Sequence, residues 1–374
     1  MVTNNVRRLR HSLPQGSARA SLALLLTGIL AACSSAPATP PIDTERDLNR
    51  VIAAQNLTDE RGRFREYLCA VLDEHGRDQP DFRYCDQALR TLGPEAGGTG
   101  EPIPMEVSRA GYLLLFVPGL GWNCFDEWLH RTDSTAKHVA RKGYDMRQIP
   151  VDGLSSSASN ARLIRDFVTA LPEEEAARAI ILVGYSKGTP DILEALALYP
   201  ELAERVRAVI SLSGAVRGSP LARDANQAMA NMLTMVPGAE CEEGDGDNEA
   251  VASLLPEVRE RWLATHALPH SVRYYSVVTF PEPEQVSLVL KSHYAQLSNI
   301  DPRNDSQVII FDQILPDSTL VAFVNADHWA MAVPVAREHG VLGNTLVNHN
   351  DYPREAFMEA LFRFVEEDLA SGAE

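Results

Sequence analysis

The sequence has no cluster of basic residues after its first 20 positions, no internal repeat, and no apolar run long enough to cross a membrane. Its 51 acidic residues outnumber its 34 Lys and Arg residues and give a formal net charge of −17. Because nucleic-acid binding requires clustered positive charge, this balance argues against a nucleic-acid partner. Hydrophobic residues at 45% and charged residues at 23% are near globular averages and exclude a disordered, collagen-like or coiled-coil chain. The 374 residues can form one large domain or two small ones.

Residues 1–32 have the pattern of an export signal. Four arginines come first, at Arg7, Arg8, Arg10 and Arg19. The apolar run that follows has 12 residues, fewer than the ~20 that a helix needs to cross a bilayer. It ends in Leu30-Ala31-Ala32-Cys33, which resembles the lipobox of bacterial lipoproteins. The resemblance implies a lipid anchor on Cys33 in the bacterial cell envelope, and Ser34 at the next position implies the outer membrane, facing the periplasm.

Four further cysteines remain in the exported chain, at Cys69, Cys85, Cys124 and Cys241. An even number of cysteines in an oxidising compartment favours disulfides, and three pairings are possible. Cys69 and Cys85 flank a helix-turn-helix candidate and form the natural local pair, which leaves Cys124 with Cys241. The alternative is that the thiols are reduced and buried.

The chain after the leader divides into three predicted parts. Residues 33–43 are a Pro-rich tether, and residues 44–95 have apolar residues at helical spacing that predict a small helical appendage. A Gly/Pro-rich boundary follows. Residues 105–374 alternate apolar runs with amphipathic helices, which is typical of a parallel α/β sheet. Within them, residues 217–269 have no strand pattern and are predicted to form a cap over a binding site.

Six apolar runs are the strand candidates of the α/β part. They are Tyr112 to Val117, Met146 to Val151, Ala179 to Val183, Ala208 to Leu212, Val272 to Thr279 and Thr319 to Val324. Their spacing suits right-handed crossovers through helices, such as those predicted at Ala161 to Leu171 and Ala356 to Leu369.

The motif Gly184-Tyr185-Ser186-Lys187-Gly188 matches G-x-S-x-G. It directly follows a strand candidate and directly precedes a helix pattern, which is the arrangement that exposes a nucleophilic serine on a sharp turn. Larger side chains in place of the two glycines would collide with the neighbouring strand and helix. The sequence therefore predicts Ser186 as a nucleophile.

A serine nucleophile needs a base and an acid that orients the base. His328 is the histidine that directly follows a strand candidate, so it is the predicted base. Asp305 lies in Asn304-Asp305-Ser306-Gln307-Val308, which resembles the Asn-Asp-Gly-x-Val acid loop of lipases and esterases with Ser in place of Gly. Asp305 is the favoured acid, with Asp301 or another acid as the alternative; Asp327 is too close to His328 in sequence to reach its far side.

Two backbone N–H groups are needed to stabilise the oxyanion. One is assigned to Lys187, directly after the nucleophile. The other is assigned to Leu120, because Val117-Pro118-Gly119-Leu120-Gly121 resembles the His-Gly-x oxyanion loop with Pro in place of His. The alternative for this second motif is a simple Pro-Gly turn. No role is assigned to the side chain of Lys187.

Residues 105 to about 370 thus resemble the α/β-hydrolase fold superfamily on its lipase and esterase side. The resemblance implies a serine hydrolase that cleaves an ester or thioester of a small molecule or lipid, with no metal or organic cofactor. An acyltransferase with the same triad and an inert lipoprotein that binds envelope partners are the alternatives. The acidic segment 245–249 is interpreted as a solvated loop rather than a calcium site, and the oligomeric state is left open.

Overall fold

The computed structural model describes residues 44–122, 134–224, 247, 249–334, 337, 340–343 and 345–371. The predicted leader and tether, the lipidation candidate Cys33, and the candidate pair of Cys124 and Cys241 lie outside these residues. Among the described residues, no helix has the length and apolar character required to cross a membrane.

Seven parallel strands form one sheet in the described part of the chain. They are β1 (Thr58–Asp59), β2 (Leu113–Val117), β3 (Asp145–Gln148), β4 (Ile180–Tyr185), β5 (Val206–Leu212), β6 (Arg273–Thr279) and β7 (Thr319–Val324). Their order across the sheet is β1-β7-β6-β5-β4-β2-β3. All residues of β4 and β7 are buried, as expected for strands that are covered by helices on both faces. The predicted α/β fold with a mostly parallel sheet is confirmed, and each of the six predicted strands is present.

Twelve α-helical segments flank this sheet among the described residues. They are α1 (Thr44–Ala54), α2 (Arg61–Glu74), α3 (Cys85–Ala88), α4 (Ser134–Arg141), α5 (Ser157–Thr169), α6 (Glu173–Ala176), α7 (Gly188–Leu198), α8 (Pro256–Thr265), α9 (Lys291–Ser298), α10 (His328–Ala332), α11 (Gly340–Gly343) and α12 (Arg354–Ser371). The described part of the predicted cap holds α8 and two short 3₁₀ turns, Pro220–Asp224 and Ala252–Leu254, and no strand.

The N-terminal helices belong to the main core rather than to a separate appendage. Phe64 on α2 packs edge-on against Phe357 and Phe364 of α12, with ring centroids 5.3 and 5.9 Å apart. The strand β1 extends the sheet beside β7. A disulfide joins Cys69 to Cys85, whose Cα atoms are 5.0 Å apart, so α2 is linked to α3. The predicted helices are therefore present, but the expectation of an appendage is wrong, because their apolar faces cover the sheet.

The carboxyl ends of the central strands meet at one edge of the sheet. Ser186 directly follows β4, Leu120 lies in the loop after β2, and His328 begins α10 shortly after β7. Asp305 lies between β6 and β7. In open parallel sheets this edge is where ligands bind.

Candidate active site

Ser186 sits on a sharp turn between β4 and α7 with a backbone φ of +53°. A non-glycine residue in this region carries a strain of about 1–2 kcal/mol. Gly184 and Gly188 allow the turn: a Cβ on Gly184 would lie 2.7 Å from the backbone of Thr189, and one on Gly188 would collide with the carbonyl of Val117. The turn is held further by a 3.1 Å hydrogen bond from the Ser186 N–H to Leu212 O. The fold thus presents Ser186 in a strained, fixed position.

The structure brings Ser186, His328 and Asp305 into one hydrogen-bonded chain. The Ser186 hydroxyl lies 2.9 Å from His328 Nε2. On the other side of the ring, His328 Nδ1 lies 2.7 Å from Asp305 Oδ2. His328 is 4% exposed and Asp305 is fully buried. A second link, from the His328 N–H to Asp305 O at 2.9 Å, fixes the two loops together.

Four hydrogen bonds hold the Asp305 carboxylate. Oδ1 accepts from the backbone N–H groups of Gln307 (2.9 Å) and Val308 (2.8 Å). Oδ2 accepts from the Thr279 hydroxyl at 2.7 Å as well as lying against His328. These donors fix the position and orientation of the carboxylate.

Asp301, the alternative acid, is engaged elsewhere. Its carboxylate binds the guanidinium of Arg303 through two contacts of 2.9 and 2.6 Å and also accepts the Arg303 N–H. The structure therefore places Asp305, and not Asp301, against the candidate base.

Asp327 caps the helix that carries His328. Its carboxylate accepts from the Ala330 N–H at 2.8 Å and from the Ser287 N–H at 2.9 Å. Burial raises the pKa of Asp327. Because Asp327 directly precedes His328, this cap fixes the start of α10 and with it the backbone position of His328.

Two side chains that the sequence reasoning missed also contact the site. Thr279, the last residue of β6, donates to Asp305. Tyr185 donates its hydroxyl to His328 O at 2.8 Å, and its ring lies 5.2 Å from the imidazole. Burial raises the pKa of Tyr185 well above its usual value, so the phenol stays protonated. In the sequence, Thr279 and Tyr185 are marked only by their positions at the ends of predicted strands. Such a position does not indicate which residue the side chain contacts.

The oxyanion-loop candidate lies directly against the nucleophile. A Cβ on Gly119 would be only 2.9 Å from the Ser186 Cβ, so only glycine allows this approach. The loop is closed by hydrogen bonds from Trp122 N to Gly119 O and from Gly121 N to Gly153 O. Leu120, in the middle of this loop, and Lys187, beside Ser186, are therefore brought to the same edge of the sheet.

The side chain of Lys187, which was assigned no role from the sequence, is buried in the structure. Its ammonium group is buried against Asp191, with Nζ 2.8 and 2.9 Å from the two carboxylate oxygens.

Leu120 packs against other apolar side chains. Leu120 packs in a small cluster with Val251, Leu254 and Leu255, which lie where the cap segment returns to the sheet. Just before them, Asp247 accepts hydrogen bonds from the Ser156 N–H at 2.7 Å and from the Ser159 hydroxyl at 2.9 Å. Asp247 thus fastens the returning segment to the start of α5, which the interpretation of 245–249 as a solvated loop did not anticipate.

No group of three or more His, Cys, Asp or Glu side chains within the described ranges could hold a metal ion. The chemistry available at this edge is that of a hydroxyl, an imidazole, a carboxylate and backbone N–H groups. This set suits nucleophilic attack on an acyl carbon.

Comparison with known proteins identifies the family. The structure of the metagenomic carboxyl esterase MGS0156 is 38% identical and covers 86% of this chain and 99% of its own, with a TM-score of 0.76. The mature lipase BlEst2 of Bacillus licheniformis is 22% identical and covers 66% of this chain and 93% of its own, with a TM-score of 0.48. No protein-family model matches the chain, and no curated protein does. The chain belongs to the α/β-hydrolase family and, within it, to the carboxylic ester hydrolases.

Proposed function

We propose that the protein is a lipid-anchored serine hydrolase that cleaves a carboxylic ester or thioester through an acyl-enzyme on Ser186. The observation that carries the proposal is the continuous chain of hydrogen bonds from the Ser186 hydroxyl through His328 to Asp305. The strained turn at Ser186 supports it, because such strain is retained where position matters for reactivity.

In the first half of the reaction Ser186 Oγ attacks the carbonyl carbon of the substrate. His328 Nε2, 2.9 Å away, takes the hydroxyl proton. Asp305 holds the ring through Nδ1 and stabilises the imidazolium that forms. The tetrahedral intermediate then collapses, the bond to the leaving alcohol or thiol breaks, and His328 returns its proton to that leaving group.

In the second half a water molecule attacks the acyl-enzyme. His328 takes a proton from the water, and a second tetrahedral intermediate forms. Its collapse breaks the bond to Ser186 Oγ, which recovers the proton from His328, and the carboxylic acid leaves. In both halves we assign the negative oxygen to the backbone N–H groups of Leu120 and Lys187, and loss of one such donor costs roughly 2.7–4 kcal/mol of barrier.

Water is the proposed acceptor, in keeping with the description of MGS0156 as an esterase. An acyltransferase would use the same groups with an alcohol in place of water. An inert lipoprotein would not need a strained serine aligned with a fixed imidazole and carboxylate.

A pre-steady-state assay with a p-nitrophenyl acyl ester tests the acyl-enzyme. We expect release of about one p-nitrophenol per protein before the slower steady state, and its loss in Ser186→Ala. Ser271→Ala, at an exposed position just before β6, is the matched control and should behave as the wild type. An unchanged reaction in Ser186→Ala would contradict the proposal.

The location in the envelope is proposed from the sequence alone. Cys33→Ala should release an active protein from the membrane fraction, because an acidic body has no other attraction to anionic lipid. Fractionation of cells that express each form, together with an esterase assay, checks this. A Cys33→Ala protein that stays firmly in the membrane fraction would contradict an anchor made by lipid alone.

A further inference from the structure

The most unexpected group near the site is the side chain of Lys187. It and its partner Asp191 are each 1% exposed. Lys187 directly follows the nucleophile and directly precedes α7, and Asp191 lies one turn later on this helix. Lys187 is also the residue whose backbone N–H is assigned to the oxyanion. A displacement of its side chain would therefore shift that backbone donor.

A buried ion pair adds little to the free energy of unfolding. Removing two charges from water costs several kcal/mol per ion, and a well-packed apolar pair of similar volume is often as stable. The pair needs further polar partners to be tolerated, and those partners show which part of the fold it is connected to.

The further partner is Asn160 on α5, which is fully buried. Its amide nitrogen donates to Asp191 Oδ2 at 2.7 Å and to the backbone carbonyl of Asp152 at 2.9 Å. Its amide oxygen accepts from the Asp152 N–H at 3.1 Å. Asn160 therefore joins the ion pair to the loop between β3 and α5.

That loop in turn holds the other half of the oxyanion site. Gly153, next to Asp152, accepts a 3.0 Å hydrogen bond from the N–H of Gly121, and Gly121 directly follows Leu120. The loop is internally fixed, because the Asp152 carboxylate accepts from Leu154 N and from the Ser155 hydroxyl. A continuous polar path thus runs from the residue of one donor to the residue beside the other.

We propose that Lys187, Asp191 and Asn160 form a positioning network that fixes the spacing between the two backbone donors of the oxyanion site. The inference rests on the proposed function and adds residues to it. These side chains do not touch the substrate; they act through the loops that carry the donors. If the spacing is lost, the transition state loses stabilisation while the ground-state substrate is bound as before.

The test is Asn160→Leu, which removes the link and leaves the ion pair in place. We expect kcat with a p-nitrophenyl ester to fall about 10- to 100-fold, because a misplacement of about 1 Å can cost 10²-fold. KM should stay within about threefold, since uniform binding is not affected. The inhibition constant of a trifluoromethyl ketone, whose adduct carries an oxyanion, should rise in proportion to the fall in kcat/KM.

A merely structural role would give a different pattern. Asn160→Leu would then lower the melting temperature and leave kcat and the ketone inhibition constant unchanged in the folded fraction, and this result would overturn the proposal. Arg363→Met is the matched control, because Arg363 and Glu359 form a buried pair of the same helical spacing on α12. It should lower stability and keep kcat.

A second variant keeps the proposal testable if Asn160→Leu fails to fold. The double substitution Lys187→Met with Asp191→Leu removes the pair without leaving a lone buried charge. We expect the same fall in kcat, and a wild-type kcat would overturn the proposal. Failure of the proposed function is separate: a wild-type protein that does not hydrolyse the ester would overturn both, whereas an active wild type with equally active variants would overturn only the network.

Discussion

Replacing Asp305 by Asn is the most informative single change at the site. Asn keeps the shape and an oxygen that can accept from Gln307 N and Val308 N, while its NH2 group replaces the oxygen that accepts from the Thr279 hydroxyl and faces His328 Nδ1. What is lost is the negative charge 2.7 Å from His328 Nδ1. The substitution therefore removes both the charge of the acid and the acceptor that orients His328 through Nδ1.

The magnitude follows from the geometry. When His328 takes the serine proton, an imidazolium faces the carboxylate with the charge centres roughly 4 Å apart, which is worth about 4 kcal/mol at an effective dielectric constant of about 20. Since about 1.4 kcal/mol of barrier is a factor of ten in rate, loss of the charge should lower kcat at least about 10³-fold, and loss of the acceptor for Nδ1 adds to this effect. KM should change little, because the acid does not touch the substrate.

Asp301→Asn is the matched control for this experiment. Asp301 lies in the same loop but binds Arg303 and not His328, so its loss should change kcat by no more than a few fold. Steady-state kinetics of both variants with a p-nitrophenyl ester, together with circular dichroism to confirm folding, decide the question. A crippled Asp301→Asn beside an active Asp305→Asn would refute the reasoning.

Two further predictions concern stability. Burial raises the pKa of Asp312 to about 6, so the folded state holds a proton that the unfolded state releases, and the side chain destabilises the fold progressively as pH rises from about 4 to above 6. Asp312→Asn should raise the free energy of unfolding at pH 7.5 by up to about 3 kcal/mol and should leave it unchanged at pH 4. Urea unfolding at both pH values checks this prediction, and an equal effect at the two pH values would contradict it. Ser306 has a φ of +82° where the resembled acid loop has Gly, and its buried hydroxyl has no partner among the described residues. Ser306→Gly should stabilise the protein by about 1 kcal/mol and leave kcat unchanged, and a lower melting temperature would argue against strain at this position.

The sheet was largely predictable because most of its strands are apolar runs buried on both faces. The exception is β1, whose two residues carry no pattern. It forms because its backbone pairs with β7 and because Arg61, buried beside it, binds Asp59 through contacts of 2.7 and 2.8 Å. Such a strand depends on tertiary contacts that no local periodicity encodes. For the same reason the helical pattern of residues 44–95 does not indicate that these helices pack on the sheet.

The site was predictable where a motif fixes local geometry and was not predictable where a side chain depends on a distant partner. The elbow around Ser186 is a local backbone requirement and can be read from its two glycines. The choice between Asp305 and Asp301 depends on which loop meets His328, and Thr279 and Asn160 act through residues 26 and 31 positions away. The contact of Lys187 with Asp191 was not predicted, because Lys187 precedes the predicted helix pattern and their i,i+4 spacing brings them together only because α7 begins directly after Lys187.

Reaction of the purified protein with a fluorophosphonate probe tests the central claim most directly. The probe phosphonylates a serine hydroxyl only where a base removes its proton and donors receive the phosphoryl oxygen. Intact-mass and peptide analysis should find one adduct per chain, on Ser186, and no adduct in Ser186→Ala or after prior denaturation. An unlabelled wild-type protein, or an adduct on another serine that persists in Ser186→Ala, would contradict the account.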